Sequence, residues 1–147
     1  MKRLFPVLTI SLGLSVLTPA HASALWAGAD ARTTGLDAHA GIALLPVPFI
    51  GTLGIEAGVG SSYGSSLSIN EFRVGGTLRD LNLPFTNVDA FVSGGAAFHL
   101  SSSNTTTSTY LEGGLRGPVL GPVGWRLSAR GDSFTGFSAG AGVEIRF

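Results

Sequence analysis

Every arginine after residue 22, and every acid but one, falls on the same parity of an alternating chain. Side chains alternate across a strand with period two, so such a pattern sorts one face of a sheet from the other. The closing stretch shows it plainly. Phe137, Ala139, Ala141, Val143, Ile145 and Phe147 share one face, while Ser138, Gly140, Gly142, Glu144 and Arg146 share the other. The alternation recurs over residues 25–32, 36–44, 52–60, 71–79, 88–99, 110–116 and 125–130, which predicts eight strands and an all-β fold. Asp30, Arg32, Asp37, Glu56, Glu71, Arg73, Arg79 and Asp89 lie on the polar parity. So do Glu112, Arg116, Arg126, Arg130, Asp132, Glu144 and Arg146, and only Asp80 is expected in a turn. One face of the sheet therefore carries no charge.

The connections alternate as well. Proline-containing turns are expected at 45–50, 80–86 and 117–123, and Gly/Ser/Thr-rich loops at 33–35, 61–70, 101–109 and 131–136. Pro48-Phe49, Pro84-Phe85 and Pro122-Val123 recur 36 and 38 residues apart. That spacing suits a meander of hairpins in one domain rather than separate domains. It places the proline turns and both ends of the sheet on one side, with the polar loops on the other.

The start of the chain bears on compartment. Met1-Lys2-Arg3 is basic, Leu4 to Leu17 is mostly apolar, and Ala20-His21-Ala22 has the form of a cleavage site. Residues 1–22 are thus expected to be a cleaved secretory signal peptide, and 23–147 the folded domain. The chain has no cysteine, which removes disulfides, thiolate metal sites and cysteine nucleophiles. After residue 22 there are seven arginines, no lysine and nine acids, a formal charge of −2 that gives no reason to expect a nucleic-acid partner. No apolar run of about 18 residues follows the leader, so no membrane-spanning helix is expected.

Two barrels fit this pattern. A soluble lipocalin-like barrel would turn its charges to water, whereas a membrane barrel would turn them inward. Glycines on the charged parity, among them Gly41, Gly54, Gly114 and Gly142, favour the second, because a narrow eight-stranded lumen needs room for long charged side chains. Aromatics gather near strand ends, with Trp125, Phe85 and Phe147 at one end and Phe98, Tyr110 and Phe137 at the other, as in interfacial girdles. Phe91, an aromatic on the inward parity, runs against the pattern. In lipid no water satisfies a sheet's backbone groups, so the sheet must close on itself.

In this architecture, and in the closing Val143-Glu-Ile-Arg-Phe147, the chain resembles the small eight-stranded bacterial outer-membrane barrels of the OmpA-barrel and OmpX type. The resemblance implies an eight-stranded antiparallel up-and-down transmembrane β-barrel in the cell outer membrane of a Gram-negative-type envelope. It also implies outer-membrane lipid as the surroundings, and a terminal strand (Val143, Ile145, Phe147) read by the insertion machinery during assembly. The proline-turn end would be periplasmic.

The function expected of such a chain is structural or surface-interacting, with the inward charges forming a lumen network, and not enzymatic. A small porin-like diffusion pore is the main alternative. A lipid-modifying barrel enzyme is a further one, since His99-Leu-Ser101 with Glu112 faintly resembles the triad of outer-membrane lipid A deacylases. Its His99 and Glu112, however, have inward parity. His39 and His99 are both expected near the outer mouth, where hydrogen-bonded lumen residues are the better reading than a two-histidine metal site. Neither a cofactor nor a metal is expected, and the sequence does not name an extracellular partner.

Overall fold

The computed structural model describes residues 24–64 and 68–147. The leader read at 1–22 lies outside the described residues. Among the described residues eight strands run β1 (Leu25–Arg32), β2 (Gly35–Val47), β3 (Gly51–Ser62), β4 (Glu71–Asn82), β5 (Asp89–Leu100), β6 (Thr105–Leu120), β7 (Val123–Asp132) and β8 (Gly136–Arg146). Each pairs antiparallel with the next, and β1 pairs with β8 from Trp26↔Arg146 to Arg32↔Gly140. The sheet is a closed up-and-down barrel. Closure leaves no edge strand with unpaired backbone groups.

The polarity is inside out. Trp26, Phe91, Ala97 and Tyr110 are the buried hydrophobic residues, whereas Asp30, Arg32, Arg73, Arg79, Glu112, Arg116, Arg126 and Glu144 are each at most 5% exposed. The large aliphatic side chains face out: Leu36, Ile55, Val74, Val92, Leu111, Leu127 and Val143 are all exposed. A soluble barrel has the opposite arrangement, since water drives apolar area inward.

The three proline-turn hairpins each carry a register shift shortly before the turn, at Ala43/Leu45, Leu78/Leu81 and Pro118/Leu120. A bulge bends its strand and re-aims a side chain. Pro46 and Pro118, which lack an N–H, sit in these irregular ends. Several boundaries differ from the expected ones. Residues 45–47 continue β2, and 117–120 continue β6, so these turns are tighter than the proline content suggests. Thr105 to Thr109 belongs to β6 and pairs with β5 from Ala96 to Leu100, leaving only a short connection at 101–104. Threonine is β-branched and fits a pleated sheet, so polarity alone misplaces it in a loop. Asp80 is in β4 rather than a turn, at a left-handed φ of 59° within the bulge.

Candidate functional site

Among the described residues, chemistry-bearing side chains gather in the lumen, and every strand contributes. At its centre Arg126, on β7, is 1% exposed. Its Nη2 donates to Glu112 Oε1 at 2.9 Å, and its Nη1 lies 3.1 Å from His39 Nε2 and 3.4 Å from Glu144 Oε2. Asp30 Oδ2 and Glu56 Oε1 are each 3.6 Å from the same guanidinium. Arg126 thus touches acids on β1, β3, β6 and β8.

Two more acids act as hubs. Glu144 is fully buried and accepts from Arg79 Nη2 at 2.5 Å, Arg116 Nη1 at 3.1 Å and Arg146 Nε at 3.2 Å. Glu112 accepts from Arg130 Nε at 2.6 Å and Arg32 Nη1 at 3.4 Å as well as from Arg126. Charge-assisted bonds of this kind are the strong ones, and arginine's planar fork suits several carboxylates at once. Toward the polar-loop end Asp37 pairs with Arg73 at 2.6 Å and Arg130 at 3.3 Å, and Glu71 pairs with both arginines. Toward the proline-turn end Arg116 pairs with Asp80, Arg79 with Glu56 at 3.3 Å, and Arg146 with Asp89 at 3.9 Å. Asp132 bonds Ser108 and the backbone of Phe134 and Thr135. Val143, Ile145 and Phe147 are exposed on the outer face.

The lumen aromatics have partners that parity does not reveal. Phe91 lies under Arg126, with Cζ 4.0 Å from the ring centroid, and Trp26 lies under Arg79 at 3.8 Å. These are cation–π contacts, which gain strength away from water. The Trp26 indole also donates to Glu56 Oε2 at 2.8 Å. Glycines opposite make the space: a Cβ on Gly114 would meet the Phe91 ring at 2.7 Å, and one on Gly41 would meet Trp26 at 2.2 Å. Tyr110 is not in an outer aromatic girdle; it is 7% exposed inside the barrel, with Arg73 and Arg130 about 6 Å from its ring. Trp26 and Tyr110 share the parity of Asp30 and Glu112, and that parity was the available signal.

The histidines separate. His99 is at the polar-loop mouth, but His39 is mid-lumen between Asp30, Glu144 and Arg126, so no two-histidine site forms. Asp30, Asp37 and His39 do bring one ligand atom each within 4.8 Å of one another. They fit a cation poorly, because Asp37 is held by Arg73 and Arg130 and Asp30 is flanked by Arg126 and Arg32. Nor does the sequence triad assemble: Ser101 is in the 101–104 connection and Glu112 is held by three arginines. His99 Nε2 instead lies 2.8 Å from Ser108 Oγ, with Glu71 3.7 Å from its other nitrogen. The Ser108 hydroxyl donates to Asp132, so it is not poised to give its proton to His99.

A closed eight-stranded barrel with charges within and large apolar side chains without has the fold of the small OmpA-type barrels. The chain is similar to the N-terminal β-barrel domain of Pseudomonas aeruginosa OprF, at 15% identity and a TM-score of 0.61, over 84% of this chain and 96% of that one. It is also similar to two de novo designed transmembrane β-barrels. One gives 16% identity and a TM-score of 0.56, over 84% of this chain and 92% of that one; the other, TMB2.3, gives 18% and 0.59, over 88% and 98%. At these identities the shared property is the fold. No family model matches the sequence, and no curated protein does.

Proposed function

We propose that the chain spans the outer membrane as a sealed barrel and serves envelope integrity or surface interaction, not catalysis. The outward apolar face would meet lipid, Val143, Ile145 and Phe147 would present the terminal strand to the insertion machinery, and the polar loops would face the exterior.

One observation carries the sealed reading. Arg79 on β4 and Glu144 on β8 are four positions apart in a ring of eight strands, yet their side chains meet at 2.5 Å. Arg126 on β7 and Glu56 on β3 are likewise opposite and lie 3.6 Å apart. Charged side chains therefore cross the lumen and occupy its width. The cavity of about 1070 Å³ at the proline-turn end reaches inward only to residues such as Thr52, Asp80, Asp89 and Arg146. That depth supports a vestibule rather than a through-channel.

Proteoliposome swelling in an iso-osmotic solution of a small sugar tests the proposal. A sealed barrel leaves the rate at that of lipid alone. Sugar entry that depends on inserted protein would establish the diffusion pore instead.

A further inference from the structure

Beyond residue 22 the chain has nine acids but seven arginines, so other donors must meet the surplus carboxylates. His39 and His99 lie among them, each with a carboxylate near both ring nitrogens. For His39 these are Asp30 at 3.7 Å and Glu144 at 3.6 Å. For His99 they are Glu71, 3.7 Å from Nδ1, and Asp132, 3.4 Å from Nε2. The two rings differ in what else they meet. A guanidinium only donates, so Arg126 Nη1, 3.1 Å from His39 Nε2, takes that nitrogen as its acceptor. A proton there would face a cation. Around His99 the polar neighbours accept instead. Ser108 Oγ, 2.8 Å from Nε2, gives its own hydrogen to Asp132 and so accepts from the ring. The nearby arginines, Arg73 on β4 and Arg130 on β7, are paired with Glu71. A neutral ring that donates through Nε2 shows Glu71 a lone pair, whereas the imidazolium shows it a donor.

The same cluster holds the turn between β7 and β8. Asp132 Oδ1 accepts from the backbone N–H groups of Phe134 at 2.7 Å and Thr135 at 3.0 Å. Its other oxygen ends the chain that runs from His99 through Ser108, and bonds in such a chain polarise one another. The turn also folds back on the ring, with the Phe134 and His99 centroids 5.0 Å apart. A charged imidazolium beneath that aromatic face adds a cation–π attraction that a neutral ring lacks. The His99 side chain keeps 11% exposure at the polar-loop mouth, within reach of protons from that side.

We propose that His99 is a proton-binding site that clasps the β7–β8 turn: the imidazolium ties Glu71, Ser108–Asp132 and the Phe134 ring together, and its deprotonation loosens the turn. Histidine is the side chain whose charge ordinarily changes between about pH 5 and 8. The clasped turn binds one proton more than the loosened one, so acid favours it and the advantage fades as the pH rises through the titration of the ring. His39 takes no part, because Arg126 occupies its Nε2. The polar-loop mouth therefore carries a turn whose order follows the acidity outside it, whether or not the lumen beneath is sealed.

Nuclear magnetic resonance of the isotope-labelled protein, refolded in detergent micelles, tests this from about pH 5 to pH 8. Carbon shifts of the His99 ring report its charge. Hydrogen-exchange protection factors of the Phe134 and Thr135 amides, which discount the intrinsic pH dependence of exchange, report the turn. The proposal predicts that protection falls on the order of threefold as the pH rises, the scale of one part-exposed ion pair, with the midpoint of the ring. His99→Gln, which keeps a donor for Ser108 but carries no charge, should flatten the change. Protection that ignores the titration of the ring would overturn the proposal. So would a pH dependence unchanged in His99→Gln, which would belong to the carboxylates. Phe134→Leu alters only an exposed turn position, where folding is not at risk. It should lower Thr135 protection at the acid end and leave the alkaline end unchanged; an equal loss at both ends would overturn the proposal as well.

Discussion

The guanidinium of Arg126 lies 4.0 Å above the ring of Phe91, and Gly114 lies on the other side of that ring's space. This stack accounts for Phe91, the aromatic whose inward parity ran against the expected pattern. Phe91 supplies an aromatic face to the cation at the centre of the network, and Gly114 leaves room for it. A methyl group at Gly114 would also fall 2.1 Å from the Leu127 carbonyl oxygen, which is backbone and cannot swing aside. Gly114→Ala is therefore expected to destabilise the barrel by about 1–3 kcal/mol, the usual range for overpacking. Urea unfolding of the refolded protein in lipid vesicles, followed by tryptophan emission, measures it.

Arg126 and Glu112 form the second relationship open to test. Removing one partner of a buried pair leaves the other uncompensated and costs about 3–5 kcal/mol, while replacing both with neutral groups costs much less. Arg126→Met is expected to destabilise strongly. Adding Glu112→Gln to Arg126→Met is expected to recover part of the loss, though Arg32 and Arg130 then lose the carboxylate charge they share. A double-mutant cycle on the same unfolding assay gives the coupling.

Polarity across one strand supplies a third prediction. Leu127 faces out and is 50% exposed, whereas its neighbour Ser128 is buried in the lumen. An arginine on the lipid side of a barrel at mid-depth costs about 2–4 kcal/mol. Leu127→Arg should therefore lower stability in vesicles by that order, and Ser128→Ala should cost far less, losing mainly the bond from Arg32 at 3.1 Å. Equal tolerance at both positions would contradict the assigned faces.

Ionic strength gives a fourth. Asp37, Glu112 and Glu144 are at most 5% exposed, and so is each of Arg73, Arg79, Arg116 and Arg126. Buried pairs are screened far less than surface ones. Raising sodium chloride from about 0.1 M to 1 M, which shortens the Debye length from about 10 Å to 3 Å, should leave the unfolding midpoint nearly unchanged. A large fall would place these charges in contact with bulk water.

Parity made much of this barrel legible. Because a strand has only two faces, the sequence sorts Arg79 and Glu144 onto one side without any knowledge of their partners. It does not give height along the barrel or reach across it. Arg79 meets Glu144 65 residues away, and Arg32 meets Glu112 80 residues away, through a stagger of strands that no local pattern records. His39 was misplaced for that reason, since its position near the start of β2 says nothing of the depth at which Glu144 and Asp30 sit. Asp80 was hidden differently. A bulge shifts the period by one residue, so the acid enters the lumen from a position that looks like a turn. Thr105 to Thr109 was hidden by composition, being polar throughout although the β5 residues it pairs with, Ala96 to Leu100, are mostly apolar.

The central claim is that side chains meeting across the lumen close it. Single-channel recording of the inserted protein in a planar lipid bilayer tests this most directly. Crossing pairs such as Arg79–Glu144 predict a silent wild-type protein, and steps that appear only when Arg79→Ala and Glu144→Ala are combined. Discrete, reproducible conductance steps from the wild-type protein would contradict it.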